Sequence, residues 1–387
     1  MRHYIWNEEE ENACYQLSSI KGVGNKSLFL LMEYVGSAKD ALGLSEEEVR
    51  MLLDKRSAEA FLAQREMVTE TSYLQMKIEK RLHFIPFVSP EYPQRLKNIP
   101  DPPFGLYVSG ELPRENIPSV AIIGARACSE YGKSVAAYFG RRLGAAGVQI
   151  ISGMARGIDG IAQRGALEGG GRTFAVLGCG ADVCYPSENI DLYRTIPGAG
   201  GVISEYMPGT QAKSSLFPAR NRIISGLADL LLVIEARKRS GTYITVTQAL
   251  EQGKEVYAVP GRITDALSDG CNYLLTQGAG IATSVETVME ALANCTCTHK
   301  EIKQYSVQNL GKEDLEAEGV YNLQEKTVWD NIISCLDITP VCLDELLQKV
   351  RKLHEMTISE LMLELTKMQV EGIVIGEGNY YRKRSAL

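Results

Sequence analysis

Short apolar runs that each end on a turn of small residues restrict this chain to a few architectures. Val120–Ile123 leads into Gly124-Ala125-Arg126, Val148–Ile151 into Ser152-Gly153-Met154-Ala155-Arg156-Gly157, and Thr173–Leu177 into Gly178-Cys179-Gly180. Gly201–Ser204, Leu227–Ile234 (broken only by Asp229) and Glu255–Val259 continue the series, with helix-length segments between them. Runs this short and this apolar are strands buried on both faces, and strands alternating with helices make a parallel sheet with right-handed crossovers. The expected fold is α/β: a nucleotide-type (Rossmann-like) parallel sheet core, a helical N-terminal domain and a C-terminal winged helix.

A chain of 387 residues, 45% hydrophobic, is long enough for more than one core. Five segments are expected. Residues 1–80 form a helical domain, in which Gly22-Val23-Gly24 between two helical stretches fits a helix-hairpin-helix (SAM-like) module and equally a plain helix–helix turn. Residues 81–117 are a Pro-rich lead-in with short strands near Phe84–Val88 and Phe104–Val108, and 118–293 are the Rossmann-like core. Residues 294–323 read as a polar linker, and 324–387 as three helices and a hairpin, with Thr357 capping the third helix. That third helix carries more acids than bases, so packing or partner contact fits it at least as well as groove reading.

The net charge of -7 excludes a uniformly basic surface. Residues 118–292 hold 16 Lys+Arg against 15 Asp+Glu, which leaves 25 against 33 elsewhere, so the core is the relatively basic part. Nine cysteines without a CxxC pair or a secretory leader suit a reduced cytoplasmic setting, and no apolar run has membrane-spanning length. Cys295, Cys297 and His299 lack zinc spacing and a fourth ligand, so no metal and no cofactor is expected.

Ligands of open α/β sheets sit beyond the carboxyl ends of the strands, and here those ends carry glycines and arginines. Arg126 stands where a dinucleotide fingerprint needs its second glycine, which disfavours a dinucleotide-dependent oxidoreductase and provides a phosphate grip instead. Arg156, Arg220 and Arg222 would add charge, and the backbone N–H groups of Gly153 and Gly157 would fill between them. Asn221 is read as a turn-stabilising side chain that positions the two arginines of FPARNR. Phe217 is a base-stacking candidate and equally a core residue before Pro218. Arg172 and Lys213 are weaker phosphate candidates, and the basic loop Arg237-Lys238-Arg239 before Ser240-Gly241-Thr242 at a helix start also suits phosphate.

The motifs AIIGAR, SGMARGID, VLGCGADVCYP, SEY, FPARNRIISGL, VIEARKRSGT, VPG and a late GCN, in this order, resemble the bacterial DNA-processing protein A family (DprA/Smf) over almost the whole chain. The resemblance implies an extended Rossmann-like domain that binds single-stranded DNA, a homodimer, and protection of incoming DNA with loading of the RecA recombinase onto it during natural transformation and recombination. The sequence itself offers no evident metal cluster, nucleophile–base pair or Walker lysine, so no enzymatic activity is expected. Gln163 departs from it, since the family commonly has histidine there, and the position is read as non-catalytic. The rival is a nucleotide-binding or nucleotide N-glycosidase enzyme on the same kind of sheet. The RSGTYITVTQALEQ stretch has no carboxylate before Glu251, which leaves such an enzyme without its acid.

Overall fold

A computed structural model of the protein describes residues 6–67, 70–295, 328–336 and 340–383. The chain divides into two compact units. In the first, helices α1 (Glu8–Ser19), α2 (Asn25–Val35), α3 (Ala38–Leu42), α4 (Glu46–Leu52), α5 (Lys55–Gln64) and α6 (Glu70–Lys80) precede the sheet. Polar side chains at their starts satisfy N–H groups that have no partner inside the helix: Asn7 accepts from Glu10, Ser45 closes a capping box with Glu48, and Asp54 accepts from Arg56 and Ser57. Gly22 turns at φ +94° between α1 and α2, a conformation that favours glycine.

The lead-in supplies β1 (His83–Pro86), the short α7 (Gln94–Lys97) and β2 (Gly105–Gly110). The core follows with β3 (Ser119–Ile123), α8 (Glu130–Ala145), β4 (Gln149–Ser152), α9 (Ile158–Glu168), β5 (Thr173–Val176), α10 (Ile190–Ala199), β6 (Gly200–Ser204), α11 (Leu216–Leu227), β7 (Leu230–Val233), α12 (Thr242–Glu251), β8 (Glu255–Ala258), α13 (Asp269–Thr276), β9 (Gly280–Ile281) and α14 (Val285–Cys295). Nine strands form one sheet in the order β1-β2-β6-β5-β4-β3-β7-β8-β9. The seven from β6 to β9 are parallel, whereas β1 and β2 add antiparallel at the β6 edge. Every residue of β3, β4, β5, β6 and β7 is buried, as their predominantly apolar runs require.

Two sequence expectations need correction here. Leu227 ends α11 and the strand starts only at Leu230, because Asp229 sits at the strand's amino end and accepts from the Ser119 N–H at 2.8 Å and the Ser119 hydroxyl at 3.0 Å. FPARNR, in which Asn221 is expected to stabilise a turn, instead forms the first turns of α11. Gln163 is wholly buried on α9 and donates to Thr173 Oγ1 and the Phe174 carbonyl, which ties the helix to β5.

The second unit contains α15 (Val328–Cys335), β10 (Val341–Cys342), α16 (Leu343–Arg351), α17 (Ile358–Val370), β11 (Val374–Glu377) and β12 (Tyr380–Lys383). Three helices with a β10-β12-β11 sheet give the element order of a winged helix, around a core that includes Ile332, Leu346, Val350, Leu361, Leu365 and Met368. Thr357 and Glu360 form the capping box of α17. The linker lies outside the described residues apart from its first two positions, and so do Cys297 and His299. Among the described residues, no helix is long and apolar enough to cross a membrane, and no group of ligating side chains is placed to hold a metal.

Asp229 and Arg95 join the lead-in to the core. Arg95, on α7, lies 3.4 Å from Asp229 and 3.3 Å from Glu115, and donates to the carbonyls of Leu227, Glu115 and Ile117. Asp229→Ala leaves a largely buried guanidinium and the Ser119 N–H without this acceptor. Urea unfolding is expected to show a loss of about 3 kcal/mol, the cost of breaking a buried charge pair, and a loss below about 0.5 kcal/mol would show that Asp229 is not holding this junction.

Candidate nucleic-acid interface

Successive strands run from β3 outward to β6 on one side, and the chain then returns to place β7 on the other side of β3. The loops after β3 and β7 therefore diverge, which opens a crevice beyond their carboxyl ends. A cleft of about 720 Å³ occupies that place. Ile123 at the end of β3 and residues 124–127 after it, Arg237 and 240–242 after β7, and Phe217, Arg220 and Asn221 of α11 line it. A second cavity of about 20 Å³ shares Arg126, Tyr185, Phe217 and Arg220 with the cleft and adds Gly153 and Arg156. Only about one water fits there.

The residues singled out from sequence separate into distinct positions. Arg126 is exposed and its guanidinium lies 5.3 Å from the Phe217 ring centroid. Arg156 is also exposed and pairs with Glu188 at 2.5 Å, both side chains being more than half accessible. Such a pair contributes little and yields to a competing anion. Arg220, in contrast, is 4% exposed; it donates to the Gly153 carbonyl at 2.9 Å, to the Val176 carbonyl, and to Asn221 Oδ1 at 3.1 Å. Asn221 thus orients an arginine, though from within a helix and not from a turn.

Arg222 is absent from both cavities. It is 7% exposed, makes a bidentate pair with Glu205 at 2.9 and 2.6 Å, and reaches the Asp101 carboxylate at 3.0 Å. Arg172 precedes β5 and so stands at the amino end of the parallel strands, away from the cleft, where it pairs with Glu111 at 2.5 Å. Lys213 is exposed on the segment before α11, between Ala212 and Ser214, which do line the cleft.

The glycines act differently from the expectation. The Gly153 N–H is not free for a ligand, because it donates to Asp159 Oδ2 at 3.1 Å. Gly157 heads α9 at φ +72°, where an added Cβ would lie 2.3 Å from the Ala125 carbonyl oxygen and 2.5 Å from that of Arg126. Its role is close packing beneath the Arg126 turn.

Charge inside the site is held by Asp159, which sequence spacing did not reveal. A Cβ on Gly153 would stand 2.7 Å from both Asp159 Oδ2 and Arg220 Nη2, so the two ionisable groups face each other across that glycine. Burial raises the Asp159 carboxyl pKa, while Arg220 and the Gly153 N–H act to lower it. Burial likewise lowers that of Arg220, which Asp159 opposes and Arg126 reinforces. For Arg222 burial again acts downward, but Glu205 together with Asp101 and Tyr206 outweighs it, and the pKa is raised. Tyr185 and Glu188 were also missed as site residues. Both follow VLGCGADVC in sequence, and only the folding of that loop toward α11 brings Tyr185 against Phe217.

Residues 83–293 match the family described as DNA recombination-mediator protein A. DNA processing protein DprA of Streptococcus pneumoniae is 37% identical over 282 residues, spanning 71% of this chain and 96% of that protein. DNA processing protein DprA of Bacillus subtilis is 38% identical over 215 residues, 55% of this chain and 72% of that protein. The X-ray structure of the Streptococcus pneumoniae protein is similar with a TM-score of 0.64 at 35% identity, covering 72% of this chain and 97% of that one.

The two kinds of arginine differ in what their loss does to stability. Arg222→Ala leaves the largely buried Glu205 carboxylate without this partner and is expected to cost about 3–5 kcal/mol. Arg126→Ala removes an exposed side chain and is expected to stay within about 0.5 kcal/mol of the parent. Urea titrations of both variants check this, and an Arg222→Ala midpoint equal to the parent's would contradict the buried pairing.

Proposed function

The chain belongs to the DNA recombination-mediator protein A family, and from that membership and the charge around its cleft we propose that it holds single-stranded DNA for a recombinase. The observation that carries the reading is exposed Arg126 on one wall of a wide crevice and Arg237 on the other, with exposed Arg156 lining the small cavity beside it and aromatic surface in both. Phosphates track such charges, whereas bases need rings to stack on and no particular sequence. Arg156 is already matched to one carboxylate, so an incoming phosphate replaces Glu188 and does not meet an uncompensated charge. Arg220 and Arg222 support the site from inside, and among the exposed candidates Lys213 stands on its rim.

The recipient of the strand is RecA in this reading, and the protein acts as a homodimer in the cytoplasm during DNA processing in transformation. Two copies holding one strand raise avidity without new contacts. The rival nucleotide N-glycosidase reading gains one observation, since Asp159 lines the cleft and supplies a carboxylate that the sequence stretch before Glu251 lacked. That carboxylate accepts from Gly153 N–H and faces Arg220, so it is committed to holding the wall. Release of free base from a nucleoside monophosphate by purified protein would favour the rival.

Contacts to about three phosphates give a slope near -2 in log affinity against log salt, about a 20-fold weakening between 50 and 200 mM. Fluorescence anisotropy with single-stranded and duplex oligonucleotides of one length is expected to show that slope and a preference for the single strand, and Arg126→Ala is expected to flatten it. Equal affinity for duplex, or no salt dependence, sinks the reading. With single-strand-binding protein already coating the DNA, the parent is expected to restore RecA-driven strand exchange and Arg126→Ala to fall short. Absence of rescue despite tight DNA binding removes the loading step from the proposal.

A further inference from the structure

The structure assigns the outward base-stacking platform of this cleft to Tyr185 and not to Phe217, an inference that rests on the single-stranded DNA reading above. The Phe217 ring is already occupied. Tyr185 is stacked on it with centroids 5.5 Å apart and planes 25° from parallel. The guanidiniums of Arg126 and Arg220 lie 5.3 and 5.9 Å from its centroid. Its Cδ1 edge is packed so closely on Gly178 that an added Cβ there would approach to 2.6 Å. A base that tried to reach Phe217 would have to displace Tyr185 or an arginine.

Tyr185 has what Phe217 lacks. It is 40% exposed although its ring rests on Phe217, so the tyrosine is the more solvent-accessible member of the stacked pair. Like Phe217 it lines both cavities, in the company of Arg126 in each and of Arg156 in the smaller one. A base laid on Tyr185 therefore continues an aromatic column whose inner end is fixed by cations, while its neighbouring phosphates have exposed arginines within the same site. Offset stacking of this kind accepts every base, since each has a π face. It also selects against duplex, whose bases are already stacked and paired. The ligand class is an unpaired nucleobase within a single strand, and Phe217 is the positioning residue that holds the platform.

Three measurements on the full chain test this. Tyr185→Ala is expected to bind a single-stranded oligonucleotide about 10- to 100-fold more weakly, the range of one lost base–aromatic stack, with the salt slope of the parent retained because no phosphate contact is lost. On an abasic strand of the same length and charge, parent and Tyr185→Ala are expected to bind equally. In Tyr185→Trp the indole emission is expected to be quenched by the base-containing strand and not by the abasic one. Tyr185→Ala binding the base-containing strand like the parent overturns the platform and leaves single-strand binding intact. Equal losses on both strands overturn it as well, because they show a folding or charge effect. If the parent itself does not prefer single strands, the underlying reading fails and the platform falls with it.

Discussion

The pairing of β3 with β7 is the constraint on which the site depends. Val120–Ile123 run alongside Leu230–Val233, and Ile234 N–H and Ala125 N–H extend the ladder past both strand ends to the carbonyls of Ile123 and Glu235, at 3.1 and 2.8 Å. Beyond that point the two backbones part, one toward α8 and one toward α12. The crevice is thus a consequence of strand order, and its walls are held in place by main-chain bonds in a fully buried layer. Gly157 belongs to the same arrangement. Only a residue without a Cβ lets the start of α9 approach the Arg126 turn so closely.

Around this junction charge is sorted by depth. Arg220 and Arg222 are spent on the interior: one satisfies the carbonyls of Gly153 and Val176, the other locks Glu205 and Asp101. Arg126 and Arg156 remain at the mouth, where a partner carboxylate such as Glu188 is exchangeable. A buried guanidinium with carbonyl partners has a fixed geometry, so in the proposed reading the surface groups would meet a ligand on a fixed frame. Asp159 keeps that frame from accumulating positive charge, since it faces Arg220 directly across Gly153.

The regions flanking the core on the amino side act through the sheet edge. β2 pairs antiparallel with β6 and β1 covers β2, so the Pro-rich lead-in caps an edge that would otherwise be open to further pairing. Tyr15 of α1 packs on Tyr73, Phe84 and Tyr107, and the Ser18 hydroxyl lies 3.0 Å from the Tyr107 hydroxyl, which fastens the helical region to those added strands. The N-terminal helices and the parallel core share one continuous apolar interior through these aromatics.

Periodicity along the chain determined the parallel core, its flanking helices and the turns that carry Arg126 and Arg156. These are local consequences of strands buried on both faces and of glycine where a strand ends. Thr357 as a cap and the C-terminal hairpin were legible for the same reason, since each depends on residues a few positions apart. Burial of an arginine is not local. FPARNR reads as a basic surface stretch, and only the packing of α11 beneath the crevice shows that two of its charges point inward to carbonyls and to Glu205. Asp159 and Tyr185 escaped for the same physical reason: each becomes a site residue through a neighbour 61 or 32 positions away, Arg220 or Phe217, that strand order alone brings within reach.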